Sequence, residues 1–214
     1  GSIVPGFPIW QNGTTWSSPA LADIDDDGFA EIIIAFDVNY NAGPQSGCPQ
    51  TGFFGAAIRA LDHTGAQKWN TCIHGEIITS SPAVGDIDAD GDLDIAIGSG
   101  LYFGAIGEAQ APARKLWVLD AATGAVAPGW PVDTGAVNNA SPAIGNLDSD
   151  PQLEIATTTA QGYTRVYEHN GTEKWAQCVL HVDTEFDINH TTCPFPHLNA
   201  LGTSPSIEIG RAHV

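Results

Sequence analysis

The sequence predicts an all-β protein made of repeated four-stranded units, and three observations carry that expectation. A segment of the type SPA, followed by an acidic turn and a β-rich run, occurs three times and begins a fourth. A hairpin-like segment recurs in the same phase. No helix of useful length is visible, since Gly, Pro and Thr interrupt every apolar run.

The copies of the first element are SSPALADIDDDGFAEIII (17–34), SSPAVGDIDADGDLDIAIG (80–98) and ASPAIGNLDSDPQLEIATT (140–158), with TSPSIEIG (203–210) opening another. Their prolines, Pro19, Pro82, Pro142 and Pro205, are spaced by 63, 60 and 63 residues. In each copy the SPA segment reads as a short strand, the acidic window as a turn, and EIII, DIAI or EIAT as the next strand. The second element is AIRALDHTGAQKW, KLWVLDAATGAVAPGWPV and TRVYEHNGTEKW, each a strand, a turn at Gly65, Gly124 or Gly171, and another strand. Four short strands per period of this length are the content of a β-propeller blade.

The resulting division is an outer strand of a preceding blade over 1–16, in which VPGFPI (4–9) matches APGWPV (127–132). A blade with an acidic loop spans 17–79 and carries an insertion at 38–54. A second spans 80–140. A third, with a degenerate loop and an insertion at 179–200, spans 141–203, and 204–214 begins the first strand of a following blade. The expectation is therefore a partial propeller of about three to three and a half blades. Closed propellers need at least four, so the sequence is expected to be a segment of a longer propeller or to pair with other copies of itself. The absence of Met and the Gly1-Ser2 start are expected to reflect a processed or engineered N-terminus.

A net charge of −18, from 25 acidic and 7 basic residues, argues against nucleic acid or an anionic membrane surface as partner. No apolar run approaches the roughly 18–20 residues of a membrane span. Thirteen of the 25 acidic residues lie in the three repeat windows 23–31, 86–94 and 146–154. In the first window, Asp23, Asp25, Asp27 and Glu31 occupy positions one, three, five and nine, and Gly28 permits the bend. Those side chains with the carbonyl at position seven, Phe29, offer the hard oxygens that suit calcium. An EF-hand is excluded, because its bidentate Glu sits at position twelve between helices. Position twelve here is Ile34, Ile97 or Thr157, and strands flank every copy. Asp26 is expected to face solvent, away from the ion.

The pattern D-x-D-x-D-G-x-x-[DE] between two strands, after an SPA segment, resembles the integrin-alpha-type FG-GAP (VCBS-like) repeat. That resemblance implies a β-propeller with calcium in the first hairpin of several blades. It places one site at Asp23, Asp25, Asp27, the Phe29 carbonyl and Glu31, and a second at Asp86, Asp88, Asp90, the Asp92 carbonyl and Asp94. The third copy would offer Asn146, Asp148, Asp150, the Gln152 carbonyl and Glu154. There Asn146 replaces the first Asp, and Pro151 replaces Gly and forbids a positive φ. Weaker binding, or a loop that folds without metal, is expected at that copy.

Cys48, Cys72, Cys178 and Cys193 are expected to form disulfides in an oxidising compartment, pairing 48 with 72 and 178 with 193 so that each bond ties an insertion to its own blade. Trp69, Trp130 and Trp175 recur at one place in the repeat, with Phe7 at the matching place, and are expected to wedge between adjacent blades. Trp10, Trp16 and Trp117 lie off that register. His63 and His169 fall in equivalent turns, whereas His181, His190 and His197 crowd the second insertion without a known ligand spacing. No catalytic triad order, phosphate loop or nucleotide fingerprint occurs.

The functional expectation is an extracellular or cell-surface, calcium-stabilised module for binding, adhesion or self-assembly. Its partners would be a protein or glycan ligand or further copies of the chain. The alternative is part of a secreted polysaccharide-degrading enzyme such as a propeller-type lyase. That alternative needs a basic residue near an anionic sugar, while Arg59, Lys68, Arg114, Lys115, Arg165, Lys174 and Arg211 mostly fall on repeated strand positions.

Overall fold

The computed structural model describes residues 5–9, 13–38, 47–48, 55–100, 114–159 and 163–178. Twelve strands form three four-stranded antiparallel sheets, and there is no helix among the described residues. The first sheet runs β1 (Ala20–Ala22), β2 (Glu31–Val38), β3 (Gly55–Leu61) and β4 (Gln67–His74). The second runs β5 (Ala83–Gly85), β6 (Asp94–Gly98), β7 (Lys115–Asp120) and β8 (Val132–Asp133). The third runs β9 (Ala143–Gly145), β10 (Glu154–Thr158), β11 (Tyr163–Tyr167) and β12 (Glu173–Cys178). Strand order within each sheet follows the chain, the up-and-down order of a propeller blade.

The second sheet is apolar on both faces because it lies between the other two. Ile95 and Ile97 of β6 and Leu119 of β7 join Ile33, Ile58 and Trp69 in a core between the first and second sheets. Ala96, Leu116 and Val118, the alternate residues of the same strands, join Trp130, Ile155 and Tyr167 in a core toward the third. Period-two alternation thus sends neighbouring side chains into different cores. The short inner strands are tied to one another by hydroxyls one repeat apart. Ser18 N–H donates to Ser81 Oγ at 3.0 Å, and Ser81 N–H donates to Ser141 Oγ at 2.8 Å.

Trp69 and Trp130 wedge between sheets. The Trp69 indole N–H donates to the Ala121 carbonyl at 2.8 Å, and that of Trp130 to the His169 carbonyl at 2.9 Å. Both acceptors lie in the outer hairpin turn of the following sheet. Gly124 (φ 73°) supplies a flat floor, since a Cβ there would meet the Trp69 ring at 2.5 Å. Phe7 lies at the corresponding turn of the first sheet, where a Cβ on Gly65 would meet its ring at 3.4 Å. Trp175 is 44% exposed. The off-register tryptophans also find acceptors. Trp117 Nε1 donates to Glu76 at 3.0 Å, and Trp16 Nε1 donates to Asp37 at 2.8 Å. Trp10 lies outside the described residues.

Two expectations need adjustment. The outermost strand foreseen over APGWPV is reduced to Val132–Asp133. The preceding residues form a turn at Gly129 (φ 86°), flanked by two prolines that have no N–H to give a ladder. The matching residues 5–9 likewise form a turn at Gly6 (φ 87°) rather than a strand. Cys48 and Cys72 form the expected disulfide, with Cα atoms 5.8 Å apart, and pack with Phe36, Val38 and Ala57. Cys193, the histidines at 181, 190 and 197, and residues 204–214 lie outside the described residues. No helix among the described residues is long and apolar enough to cross a membrane.

Replacing Trp69 by Ala should cost about 3–5 kcal/mol, and replacing the half-exposed Trp175 clearly less, in denaturant melts of the two variants. Burial pushes the Asp37 carboxyl up to about 6, against the opposing hydrogen bond from Trp16. A carboxylate whose folded pKa is raised destabilises the fold as it ionises, so its penalty grows from about pH 4 and is complete above pH 6. The stability of Asp37→Asn relative to the parent should therefore rise between pH 4 and pH 7, as thermal melts across that range would show.

Candidate metal centres

The three acidic turns join the first and second strand of each sheet, and in the first two the backbone is bent by the side chains themselves. Asp23 Oδ2 accepts from Gly28 N–H at 2.9 Å, and Asp86 Oδ2 accepts from Gly91 N–H at 3.2 Å. The carboxylate at position five accepts from the N–H at position seven, Asp27 from Phe29 at 2.8 Å and Asp90 from Asp92 at 2.9 Å. Gly28 and Gly91 take φ values of 89° and 102°, which L side chains rarely adopt. Position four is also left-handed, at Asp26 (φ 57°) and Ala89 (φ 63°). Asp26 is exposed, as the sequence predicts.

This folding gathers like charge. One carboxylate oxygen from each of Asp23, Asp25 and Asp27 lies within 4.8 Å of the others, and the same holds for Asp86, Asp88 and Asp90. The position-nine carboxylate stands at the head of the second strand and has a second task. Glu31 Oε2 accepts from Ile24 N–H at 3.1 Å, and Asp94 Oδ2 accepts from Ile87 N–H at 3.2 Å. Glu31 is fully buried, and its Oε1 has no hydrogen-bond partner; the buried Asp86 Oδ1 has none either. Burial, followed by the hydrogen bond from Ile87 working against it and the charges of Asp88, Asp90 and Asp120, pushes Asp94 up to about 6. Phe29 and Asp92, whose carbonyls hold position seven, are exposed; the Phe29 ring stacks on His63 at 4.4 Å. Buried oxygens that lack a donor, beside three converging carboxylates, form a donor set that fits a hard divalent cation.

The third turn is built differently. Neither Ser149 nor Pro151, its positions four and six, takes a positive φ. Asn146 turns its amide N–H groups onto the carbonyls of Asp150 and Gln152, so the Gln152 carbonyl is engaged by a donor. Asp148, Asp150 and Glu154 still converge within 4.8 Å. Glu154 keeps the position-nine contact by accepting from Leu147 N–H at 2.5 Å. Its other oxygen, Oε1, accepts from Lys174 Nζ at 3.2 Å. Among the described residues no carboxylate oxygen of this turn is buried without a partner. The set fits a metal ion poorly.

Lysines from the outermost strands are the participants that sequence reasoning missed. Lys68 of β4 reaches across to Asp25 and lies 3.7 Å from Glu31 Oε1. Lys174 of β12 contacts Asp148 at 2.5 Å, Glu154 at 3.2 Å and Glu168 at 2.8 Å. These contacts raise the pKa of both ammonium groups, through Asp25 for Lys68 and through Asp148 for Lys174. The signal was present as QKW and EKW against PGW, a lysine before the repeated tryptophan in the first and third repeats and Gly129 in the second. The remaining cations among the described residues are paired as well. Arg114 contacts Asp133, Lys115 contacts Glu76, Arg165 contacts Glu173, and Arg59 donates to Asn70.

Residues 79–112, spanning β5, the second acidic turn and β6, match the FG-GAP repeat family. The chain carries an FG-GAP repeat. Among solved structures it is similar to the V. cholerae biofilm matrix protein Bap1, at 19% identity and a TM-score of 0.34, over 75% of this chain and 28% of that one. A europium-containing methanol dehydrogenase is 13% identical with a TM-score of 0.44, over 78% of this chain and 26% of that one. BBS1N, solved in complex with ARL6DN, is 11% identical with a TM-score of 0.44, over 83% of this chain and 56% of that one. The chain thus spans less than two thirds of each of these three. The comparison with curated proteins finds no match.

A Cβ added at Gly91 would meet nothing within 4 Å, so its requirement for glycine is conformational alone. Gly91→Ala should cost about 1–2 kcal/mol through the left-handed backbone, with no steric component. Gly124→Ala, which collides with Trp69, should cost more in the same denaturant titration.

Proposed function

We propose that the chain is an extracellular, calcium-stabilised FG-GAP propeller segment of about three to three and a half blades that serves as a binding, adhesion or self-assembly module. The observation that carries this is the pair of in-phase acidic turns, each with a buried carboxylate oxygen that has no hydrogen-bond partner. Asp23, Asp25, Asp27, the Phe29 carbonyl and Glu31 would hold one ion; Asp86, Asp88, Asp90, the Asp92 carbonyl and Asp94 would hold another. Calcium supplies positive charge and a flexible oxygen coordination that neutralises each cluster. The chain's own residues fix the loop, through Gly28 and Gly91 and through the position-nine carboxylate that holds the N–H of Ile24 or Ile87.

Loops of this charge suit millimolar calcium outside a cell, where affinities of roughly 10⁻⁴ to 10⁻³ M suffice. The Cys48–Cys72 disulfide supports the same compartment. The basic side chains of the described strands are engaged with carboxylates or with Asn70, which favours a binding module over a lyase acting on an anionic sugar. A protein or glycan ligand, or further copies of the chain, would be the partner.

Thermal melts in chelator and in millimolar calcium test this. Calcium at ten times its Kd should add about 1.4 kcal/mol per site. Asp86→Asn combined with Asp90→Asn should remove roughly half of that gain. An unchanged midpoint for the parent chain would refute the calcium assignment.

A further inference from the structure

We propose that the ammonium of Lys174, rather than a metal ion, is the resident cation of the third acidic turn. The proposal uses the calcium assignment of the first two turns only as a contrast; the contacts of Lys174 stand by themselves.

Three independent features point the same way. Lys174 Nζ contacts three carboxylates, Asp148 and Glu154 of the turn and Glu168 at the end of β11. That leaves both oxygens of the fully buried Glu154 engaged, one by Leu147 N–H and one by the lysine. In the first turn, by contrast, Glu31 Oε1 lies 3.7 Å from Lys68 and has no hydrogen bond. In the second, Gly129 stands where the lysine would be, and the buried Asp86 Oδ1 has no hydrogen-bond partner. The residue matching Glu168 is Asp62 in the first repeat and Asp120 in the second, so the longer side chain that completes the lysine's three contacts occurs only in the third. The Asn146 amide supplies the second feature, since it places N–H groups on the carbonyls of Asp150 and Gln152. An incoming cation would meet donors there in place of free oxygen. Backbone is the third, because Pro151 cannot take the positive φ that Gly28 and Gly91 use.

A lysine tethered to β12 is always present, whereas a calcium ion comes and goes with its concentration. The third turn is therefore closed at any calcium level, while the second has no lysine to take the place of an ion. The repeats form a series: no internal cation in the second turn, a partly engaged one in the first, a fully engaged one in the third.

Calcium titration calorimetry on the parent chain, combined with melts in chelator, decides this. Two bound ions are expected; three would overturn the proposal while leaving the calcium assignment standing. No bound calcium would sink the calcium assignment, and the chelator melts would still judge Lys174. In chelator, Lys174→Gln should lower the midpoint by about 4 °C or more, because it strands the buried Glu154. Lys174→Gln with Glu154→Gln should recover part of that loss, and it remains informative where the single variant fails to fold. A Lys174→Gln midpoint equal to the parent's, or a double variant showing no recovery, would overturn the proposal.

Discussion

Each sheet begins its second strand with a carboxylate in or near the core, and the local structure follows from that charge. Glu31 and Glu154 are fully buried and Asp94 is partly so, yet each accepts the N–H that lies two residues into its turn. This contact pins the turn to the strand. A buried carboxylate is costly unless a partner neutralises it. Everything distinctive about the three turns is a different answer to that cost: converging acidic groups able to hold an ion, a lysine from the outer strand, or both.

Much of the fold was legible because the repeat shows itself at several levels. The SPA segments, the acidic windows and the Gly65, Gly124 and Gly171 turns recur in phase, and each landed on the strand or turn expected of it. The outer strand was less legible. APGWPV looks extended and apolar, but Pro128 and Pro131 remove donors and Gly129 bends the chain, leaving a two-residue strand. Backbone donors decide pairing there, and hydrophobicity alone does not report them.

The candidate site was legible in its acidic residues and not in its basic ones. Positions one, three and five stand out in a single window, and in the first two turns they do converge. Lys68 and Lys174 are some twenty to forty residues away in sequence from carboxylates they touch, and they arrive by crossing a strand. Position nine carried a role that the pattern hides, since a ligand-type residue at that place also caps the backbone of its own turn. The left-handed Ala89 was also hidden, because alanine does not announce a positive φ.

The indole contacts give the joint between sheets a direction. Trp69 and Trp130 are offered by the outer strand or its approach on one sheet, and the carbonyls of Ala121 and His169 are presented by the hairpin turn of the next. Donor and acceptor surfaces differ, so the association is heterologous, and each added sheet presents again the half of the joint that the previous one used. A gene segment encoding one repeat could be duplicated or deleted, and the neighbours would meet through the same indole and the same carbonyl. Such a joint leaves the number of repeats open to change, and leaves the chemistry of each acidic turn free to differ from its neighbours'.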